Sequence, residues 1–398
     1  MTSPALSSSG FFAAPAGKQC VQFRNVMRTF FRPISLLLAL LISIPATQAE
    51  SDHLSYFELP LTESDPLRVT QSNELNDYIR HLQQDDSRLR SILHPNYSSI
   101  DAFVRSTTTY RQAFQESIGY PPPGAISNAE AEFTLIGEDD IGIYFRVLIP
   151  TLPNVQTQGI YILPKVRTGP VPLILALHGG GGSPEKALFN GGGNYHDRVR
   201  GAVKRGYAVF APQMLFPSEG LPREIRWTTD RRLRLVGTSI TAVEIFKHRR
   251  SLDVLLTRSE IDPSRVGVVG LSYGGFYALM TAAFEPRIKV VVSSCYYGVQ
   301  EGRYEQDELS VPSDFEFFNR FTLFHDSELA ALVCPRPLLI QAGSDDRSSH
   351  REPGIPLATI SAGDYDRLGL SDRFEHLIFD GGHEFHDASA WPFIQKHL

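Results

Sequence analysis

The sequence predicts an α/β fold: a mostly parallel central sheet, entered through antiparallel strands and flanked by helices. Three observations predict it. From about residue 172 onward, short β-branched apolar runs alternate with helical patterns, which is the rhythm of a parallel sheet. The strand-like runs before that point have short connections, which implies antiparallel pairing. Finally, the stretch Arg265-Val-Gly-Val-Val-Gly-Leu-Ser-Tyr-Gly-Gly-Phe276 reads as a buried strand, a sharp turn and the start of a helix.

In chain order, residues 50–72 are polar and irregular. Leu75, Tyr78, Ile79, Leu82, Leu89, Ile92 and Leu93 recur at helical spacing and predict a helix over 73–93. A second helix follows over 99–118, with Phe103, Val104, Tyr110, Phe114 and Ile118 on its buried stripe and Pro121-Pro-Pro-Gly124 ending it. Both belong to a helical extension over 50–129 that packs on the flank of the main domain or lines its cleft. Strands are expected over 132–137, 141–149 and 159–163, the first two joined by the acidic turn Glu138-Asp-Asp140. Alternation then begins, with a strand over 172–177, a helix over 196–204, a strand over 207–211 and a long helix over 238–257. The strand over 266–269 and its helix follow, then strands over 288–293, 337–342 and 375–379 and a last helix over 388–397. Antiparallel strands followed by alternating β and α units, with Ser272 between a strand and its helix, resemble an α/β-hydrolase topology, which implies a catalytic domain over 130–398. There is no internal repeat or low-complexity segment.

Composition is that of an ordinary globular chain, 398 residues with 42% hydrophobic and 21% charged. Arg28 and Arg32 precede an apolar run over 34–44, and Pro45-Ala-Thr-Gln-Ala49 has the small residues of a cleavage site, so residues 1–49 predict an export signal cleaved after Ala49. The apolar run falls short of the roughly 20 residues a spanning helix needs. Met27 makes a better initiator than Met1 for such a signal. Removing 1–49 takes away Lys18, Arg24, Arg28 and Arg32 and no acid, so the balance moves from 38 − 44 = −6 to 34 − 44 = −10. A mature chain this acidic argues against nucleic-acid or anionic-membrane partners. Cys20 lies in the removed segment. Cys295 follows one predicted strand and Cys334 precedes the next, which puts them at opposite edges of a parallel sheet, ~20 Å apart at ~3.3 Å per residue. A disulfide needs Cα atoms within about 7 Å, so two free thiols are expected.

The chemistry centres on Gly270-Leu-Ser-Tyr-Gly274, which fits the G-x-S-x-G nucleophile elbow between a strand and a helix. Ser272 is the candidate nucleophile. A serine needs a base to take its proton and a carboxylate to orient that base. His383, in Asp380-Gly-Gly-His-Glu-Phe385 directly after the last strand, is the base of choice, ahead of His386. The acid belongs in Gly343-Ser-Asp-Asp346, where Asp345 and Asp346 both qualify. An oxyanion site needs two backbone N–H donors. One is expected from Tyr273, the other from His178-Gly-Gly-Gly-Gly182, with Gly180 favoured over Gly179. That glycine run lacks the G-K-[ST] or G-x-G-x-x-G context of a phosphate loop, and His383 and His386 lack an H-E-x-x-H framework, so no cofactor and no metal are expected. Residues 301–326 form an insertion whose Phe315, Phe317, Phe318, Phe321 and Phe324 are expected to pack rather than to roof the site. Arg226 and Trp227, read as loop residues after the strand over 207–211, are candidate substrate contacts.

Two segments carry a family resemblance. The stretch 232–275, with Asp262-Pro-Ser-Arg-Val-Gly-Val-Val-Gly-Leu-Ser-Tyr-Gly-Gly275, resembles the dienelactone-hydrolase and acetyl-xylan-esterase branch of the α/β hydrolases, as does Leu332-Val-Cys-Pro-Arg-Pro-Leu-Leu-Ile-Gln-Ala-Gly-Ser-Asp-Asp346. In that branch the Pro-Arg-Pro-Leu strand leads to a Gly-x-x-Asp acid, which implies Asp346 rather than Asp345. Dienelactone hydrolases carry cysteine at the nucleophile position, so Ser272 points to the esterase members. The resemblance implies a serine ester hydrolase that takes a small-molecule or carbohydrate ester, and the signal pattern over 1–49 implies that it is exported to the periplasm or the cell exterior. The Ser-Tyr-Gly-Gly-Phe elbow is also similar to that of prolyl-oligopeptidase-type peptidases, but the residues before the first strand are too few for their propeller at ~40–45 per blade. A peptidase, or a non-catalytic binding module on the same fold, is the alternative.

Overall fold

The computed structural model describes residues 61–126, 128–189, 193–215, 223–301, 312–346 and 351–398. The chain separates into Met1–Ser64 and Asp65–Leu398, and the fold and candidate site belong to the second unit. The expected export signal lies outside the described residues, as does part of the insertion, 302–311. No described helix is long and apolar enough to cross a membrane.

The strands are β1 (Glu132–Glu138), β2 (Gly142–Leu152), β3 (Val155–Pro164), β4 (Val171–Leu177), β5 (Ala208–Pro212), β6 (Ile261–Leu271), β7 (Val290–Ser294), β8 (Leu338–Gly343) and β9 (Phe374–Phe379). They form one sheet in the order β1-β2-β3-β5-β4-β6-β7-β8-β9. β1, β2, β3 and β5 pair antiparallel, and every pair from β5 through β4 to β9 is parallel. This is the α/β-hydrolase architecture the sequence predicts.

The helices before and after the candidate nucleophile are α1 (Leu61–Gln84), α2 (Ser87–Ile92), α3 (Ile100–Ser106), α4 (Thr108–Ile118), α5 (Pro184–Phe189), α6 (Arg198–Lys204), α7 (Arg223–Arg234), α8 (Ile240–Leu255) and α9 (Tyr273–Phe284). β4 shows why the strands are apolar throughout. Leu173, Leu175 and Leu177 point into one core with α4, α8, α9 and the helix Arg351–Arg367, while Ile174 and Ala176 point into a second core with α6 and the C-terminal helix Asp387–His397. A strand covered on both faces has no polar side to display.

Three expectations are corrected. The helix over 73–93 is two helices: α1 begins earlier, and the chain turns at Asp85, whose carboxylate accepts the Ser87 N–H at 2.9 Å. The apolar positions Leu75, Tyr78, Ile79 and Leu82 on α1 are exposed rather than buried, and only Leu89, Ile92 and Leu93 reach the core. The helix over 99–118 breaks at Thr107 into α3 and α4. Phe103, Tyr110, Phe114 and Ile118 are buried as expected, whereas Val104 is exposed. Residues 223–234, where Arg226 and Trp227 are expected on a loop, are helical, and a further helix over 351–367 was not predicted. In α7 the core-facing positions include Arg226 and Asp230, so hydrophobic periodicity cannot reveal it. Cys295 and Cys334 are both free and buried.

Candidate active site

Ser272 joins β6 to α9 with φ 58° and ψ −119°, a left-handed backbone that costs a non-glycine residue roughly 1–3 kcal/mol. Neighbours hold it there. Its N–H donates to the Ser294 carbonyl at 2.7 Å, and its own carbonyl accepts the Phe276 N–H at 3.0 Å. The flanking glycines are steric requirements: a Cβ on Gly270 would overlap the Gly274 carbonyl, and one on Gly274 would overlap the Leu177 carbonyl. The elbow therefore presses β6, β4 and α9 closer than any side chain allows.

Two loops after neighbouring strands meet at the end of the parallel strands where β6 passes into the elbow. The loop after β8 and the loop after β9 are zipped by backbone bonds, Ser344 N–H to Phe379 O and Asp345 N–H to Gly381 O, each 2.8 Å. A Cβ on Gly343 would overlap the Gly382 carbonyl, so the crossing needs a glycine there. The crossing brings His383 Nδ1 to 2.7 Å from Asp346 Oδ2. Asp346 is buried with its side chain 1% exposed, and His383 is 29% exposed. Asp345, the other candidate, points to solvent. His386 is committed elsewhere, with Nδ1 on Ser389 Oγ at 2.9 Å and its ring stacked on Phe379. Gln341 ties this corner together, accepting from Ser294 Oγ at 2.6 Å and donating to the His386 carbonyl at 2.9 Å.

On the other side the glycine loop follows β4. His178 is buried, and burial pushes its pKa down to about 4, so the ring is neutral. Its Nε2 accepts the Met214 N–H at 3.0 Å, which puts the proton on Nδ1 for donation to the Gly179 carbonyl at 2.9 Å. That carbonyl shares a planar trans peptide with the Gly180 N–H, so His178 fixes the direction of the Gly180 donor. The Gly179 N–H is already taken by the Tyr195 hydroxyl at 2.7 Å. Of the two glycines weighed for the second oxyanion donor, only Gly180 has an N–H without a partner among the described residues. Tyr273 opens α9, where helical N–H groups concentrate positive potential.

The alpha/beta hydrolase family model matches residues 174–393, more than half of the chain. The chain belongs to the alpha/beta hydrolase family. It is 25% identical over 279 residues to YtaP of Bacillus subtilis (strain 168), which carries the name of a hydrolase; the match covers 66% of this chain and 91% of that protein. Among solved structures, a Bacteroides fragilis NCTC 9343 protein assigned to the acetyl xylan esterases superposes with TM-score 0.59 and 18% identity, covering 74% of this chain and 80% of that one. A glucuronoyl esterase from Solibacter usitatus superposes with TM-score 0.54 and 15% identity, covering 78% and 98%. These likenesses show the shared fold, and both neighbours carry the name of an esterase.

Several residues of this hydrolase were not singled out as site residues by the sequence. Cys295, itself at φ 55°, places its thiol so that Sγ, the Asp346 carboxylate and the His383 ring lie within 4.8 Å of one another. Burial first, and the Asp346 carboxylate second, push that thiol's pKa up to about 12, so it stays protonated. Glu384 accepts the Gly382 N–H at 3.2 Å and pairs with His196, bracing the loop on either side of His383. Tyr195 and His178 brace the glycine loop. A β-strand-end motif marks where such a loop lies, but not the distant side chains that hold it. Arg226 and Trp227, expected as substrate contacts on a loop, lie on α7. Arg226 is instead committed to a buried ion pair with Asp314. Phe315, Phe317 and Phe324 are packed in the core, Phe321 is half-buried, and Phe318 is 73% exposed.

Proposed function

We propose that this protein is an exported serine ester hydrolase that cleaves carboxylic esters of carbohydrates or similarly sized alcohols through an acyl-enzyme. The observation that carries the reading is the His383–Asp346 hydrogen bond, formed at the same end of the parallel strands as a serine held in a positive-φ elbow. With Nδ1 bonded to the carboxylate, the imidazole keeps Nε2 as the base for Ser272 Oγ. Oγ then attacks the ester carbonyl, and the tetrahedral oxyanion takes hydrogen bonds from the Tyr273 and Gly180 amides. His383 returns the proton to the departing alcohol, and the same imidazole activates the water that releases the acid. Asp346 keeps the imidazole in the required tautomer and stabilises its cationic form.

The carbohydrate assignment is supported by the substrates named for the structural neighbours, acetyl xylan and glucuronoyl esters. Export is supported by the signal pattern over 1–49. The test is hydrolysis of p-nitrophenyl esters from acetate to decanoate, with acetylated xylan and a prolyl-peptide anilide in parallel and a fluorophosphonate probe for the serine. Acetate preference, xylan deacetylation and labelling that vanishes in Ser272→Ala are expected. Anilide cleavage in place of ester cleavage would move the assignment to a peptidase, and silence on every substrate without labelling would leave only a binding module.

A further inference from the structure

The side chain of Tyr273 faces away from the ester site into a buried polar cluster. Its hydroxyl lies 2.6 Å from Asp314 Oδ2 and 3.0 Å from the Leu215 carbonyl. Tyr277, one turn further along α9, reaches the same Oδ2 at 2.6 Å. Arg226 pairs with Oδ1, and its guanidinium lies 4.5 Å from the centre of the Tyr273 ring. Asp314 is fully buried and Arg226 is 3% exposed. Burial works against the Arg226 charge, but the Asp314 carboxylate outweighs it and raises the guanidinium pKa. Thr241 Oγ donates to the Asp314 carbonyl at 2.7 Å and Arg234 to the Ser313 carbonyl at 2.6 Å, so this short segment is fastened to α7, α8 and α9 at once.

A buried ion pair is a poor device for stability alone, since well-packed apolar residues often do as well or better. What the cluster adds is direction. The phenol of Tyr273 donates its one proton chiefly to Asp314 at 2.6 Å and lies 3.0 Å from the carbonyl of Leu215, which follows Met214, whose N–H is bonded to His178. His178 in turn orients the Gly179–Gly180 peptide. The two walls of the oxyanion site therefore meet through Met214 and Leu215.

We infer that Asp314 is a positioning residue for ester hydrolysis, aligning the Tyr273 amide with the oxyanion by holding the Tyr273 phenol. This rests on the serine-esterase reading above. Tyr273→Phe and Tyr277→Phe each delete one hydroxyl hydrogen bond to the same carboxylate oxygen, but only Tyr273 supplies an oxyanion amide. Steady-state hydrolysis of p-nitrophenyl acetate, thermal unfolding and fluorophosphonate labelling rate are measured for both variants, for Asp314→Asn and for Ser272→Ala. Tyr273→Phe is expected to lower kcat and the labelling rate by about tenfold, part of the loss seen when an oxyanion donor is deleted, with KM within about twofold. Tyr277→Phe is expected to lower Tm comparably while kcat stays within about twofold of wild type. Asp314→Asn should reproduce the kcat loss. If that variant does not fold, the two tyrosine variants still decide. Equal kcat effects in Tyr273→Phe and Tyr277→Phe, or none in either, overturn the inference. Full activity in Ser272→Ala overturns the nucleophile assignment instead, whatever the tyrosines do.

Discussion

On one side of Ser272 stand His383 and Asp346, carried by loops after adjacent strands and joined by a single hydrogen bond with the imidazole partly open to solvent. On the other stand Tyr273 and the glycine loop, backed by His178, Tyr195, Arg226 and Asp314, all buried. The first flank is built from residues close to their motif and stitched by backbone bonds. The second is built from side chains that meet across the chain: Asp314 is 41 positions from Tyr273 and 88 from Arg226. A group that must exchange protons has to stay reachable, whereas a donor that must stay aimed is better locked in a dry interior. The comparison teaches that the two flanks of one candidate site can be held by two kinds of scaffolding.

The largest expected effect breaks the first flank. Ser272→Ala or His383→Ala should lower kcat by up to about a million-fold, and Asp346→Ala by about ten-thousand-fold, each read in ester hydrolysis. Asp345→Ala, one residue away but pointing to solvent, should stay within about twofold, as surface substitutions generally do. Loss of activity in Asp345→Ala with Asp346→Ala near wild type would reassign the acid.

The second flank is sharpened by a packing contrast next to it. The Phe315 ring lies 4.3 Å from Phe276 and 5.2 Å from Tyr296, and Phe315→Ala should cost about 3–5 kcal/mol in urea unfolding. Phe318→Ala, on an exposed ring, should stay within about 0.5 kcal/mol. Equal costs would mean that the insertion does not pack as described.

The smallest effect is nil at neutral pH and grows with acid. The His178 pKa, lowered by burial to about 4 from the usual 6.5, means that the unfolded chain takes up the proton first as pH falls. The stability that depends on a neutral His178 is whole above about pH 6.5 and is lost progressively as pH falls towards 4, on the order of 3 kcal/mol in total. His248, lowered mainly by burial, acts in the same direction. Thermal unfolding of wild type and His178→Gln across that range should show a lower but flatter curve for the variant. Parallel curves would mean that His178 is not held neutral by its surroundings.

Several features were legible in the chain for a physical reason. A strand buried on both faces has to be apolar, so β4, β6, β7 and β8 announce themselves. A turn as tight as 270–274 has to be glycine-flanked, so Ser272 stands out. Loops directly after strands collect at one edge of a parallel sheet, which marks His383 and the Asp345–Asp346 pair. The helical spacing of apolar residues misled at α1, where periodicity is present but the stripe is exposed. It was silent at α7, where charged residues face inward.

By itself, then, the sequence determined the sheet, the elbow and the loops that converge on it, because these depend on local period, local sterics and the order of strands. The sequence already favoured Asp346 and Gly180, but the contacts that distinguish them from Asp345 and Gly179, and what stands behind Tyr273, were decided only by tertiary structure. Those choices depend on pairings between residues far apart in the chain, such as Asp346 with His383, Gly179 with Tyr195 and Asp314 with Tyr273. Burial determines the energy of each pairing, and burial is a property of the packed molecule rather than of any segment.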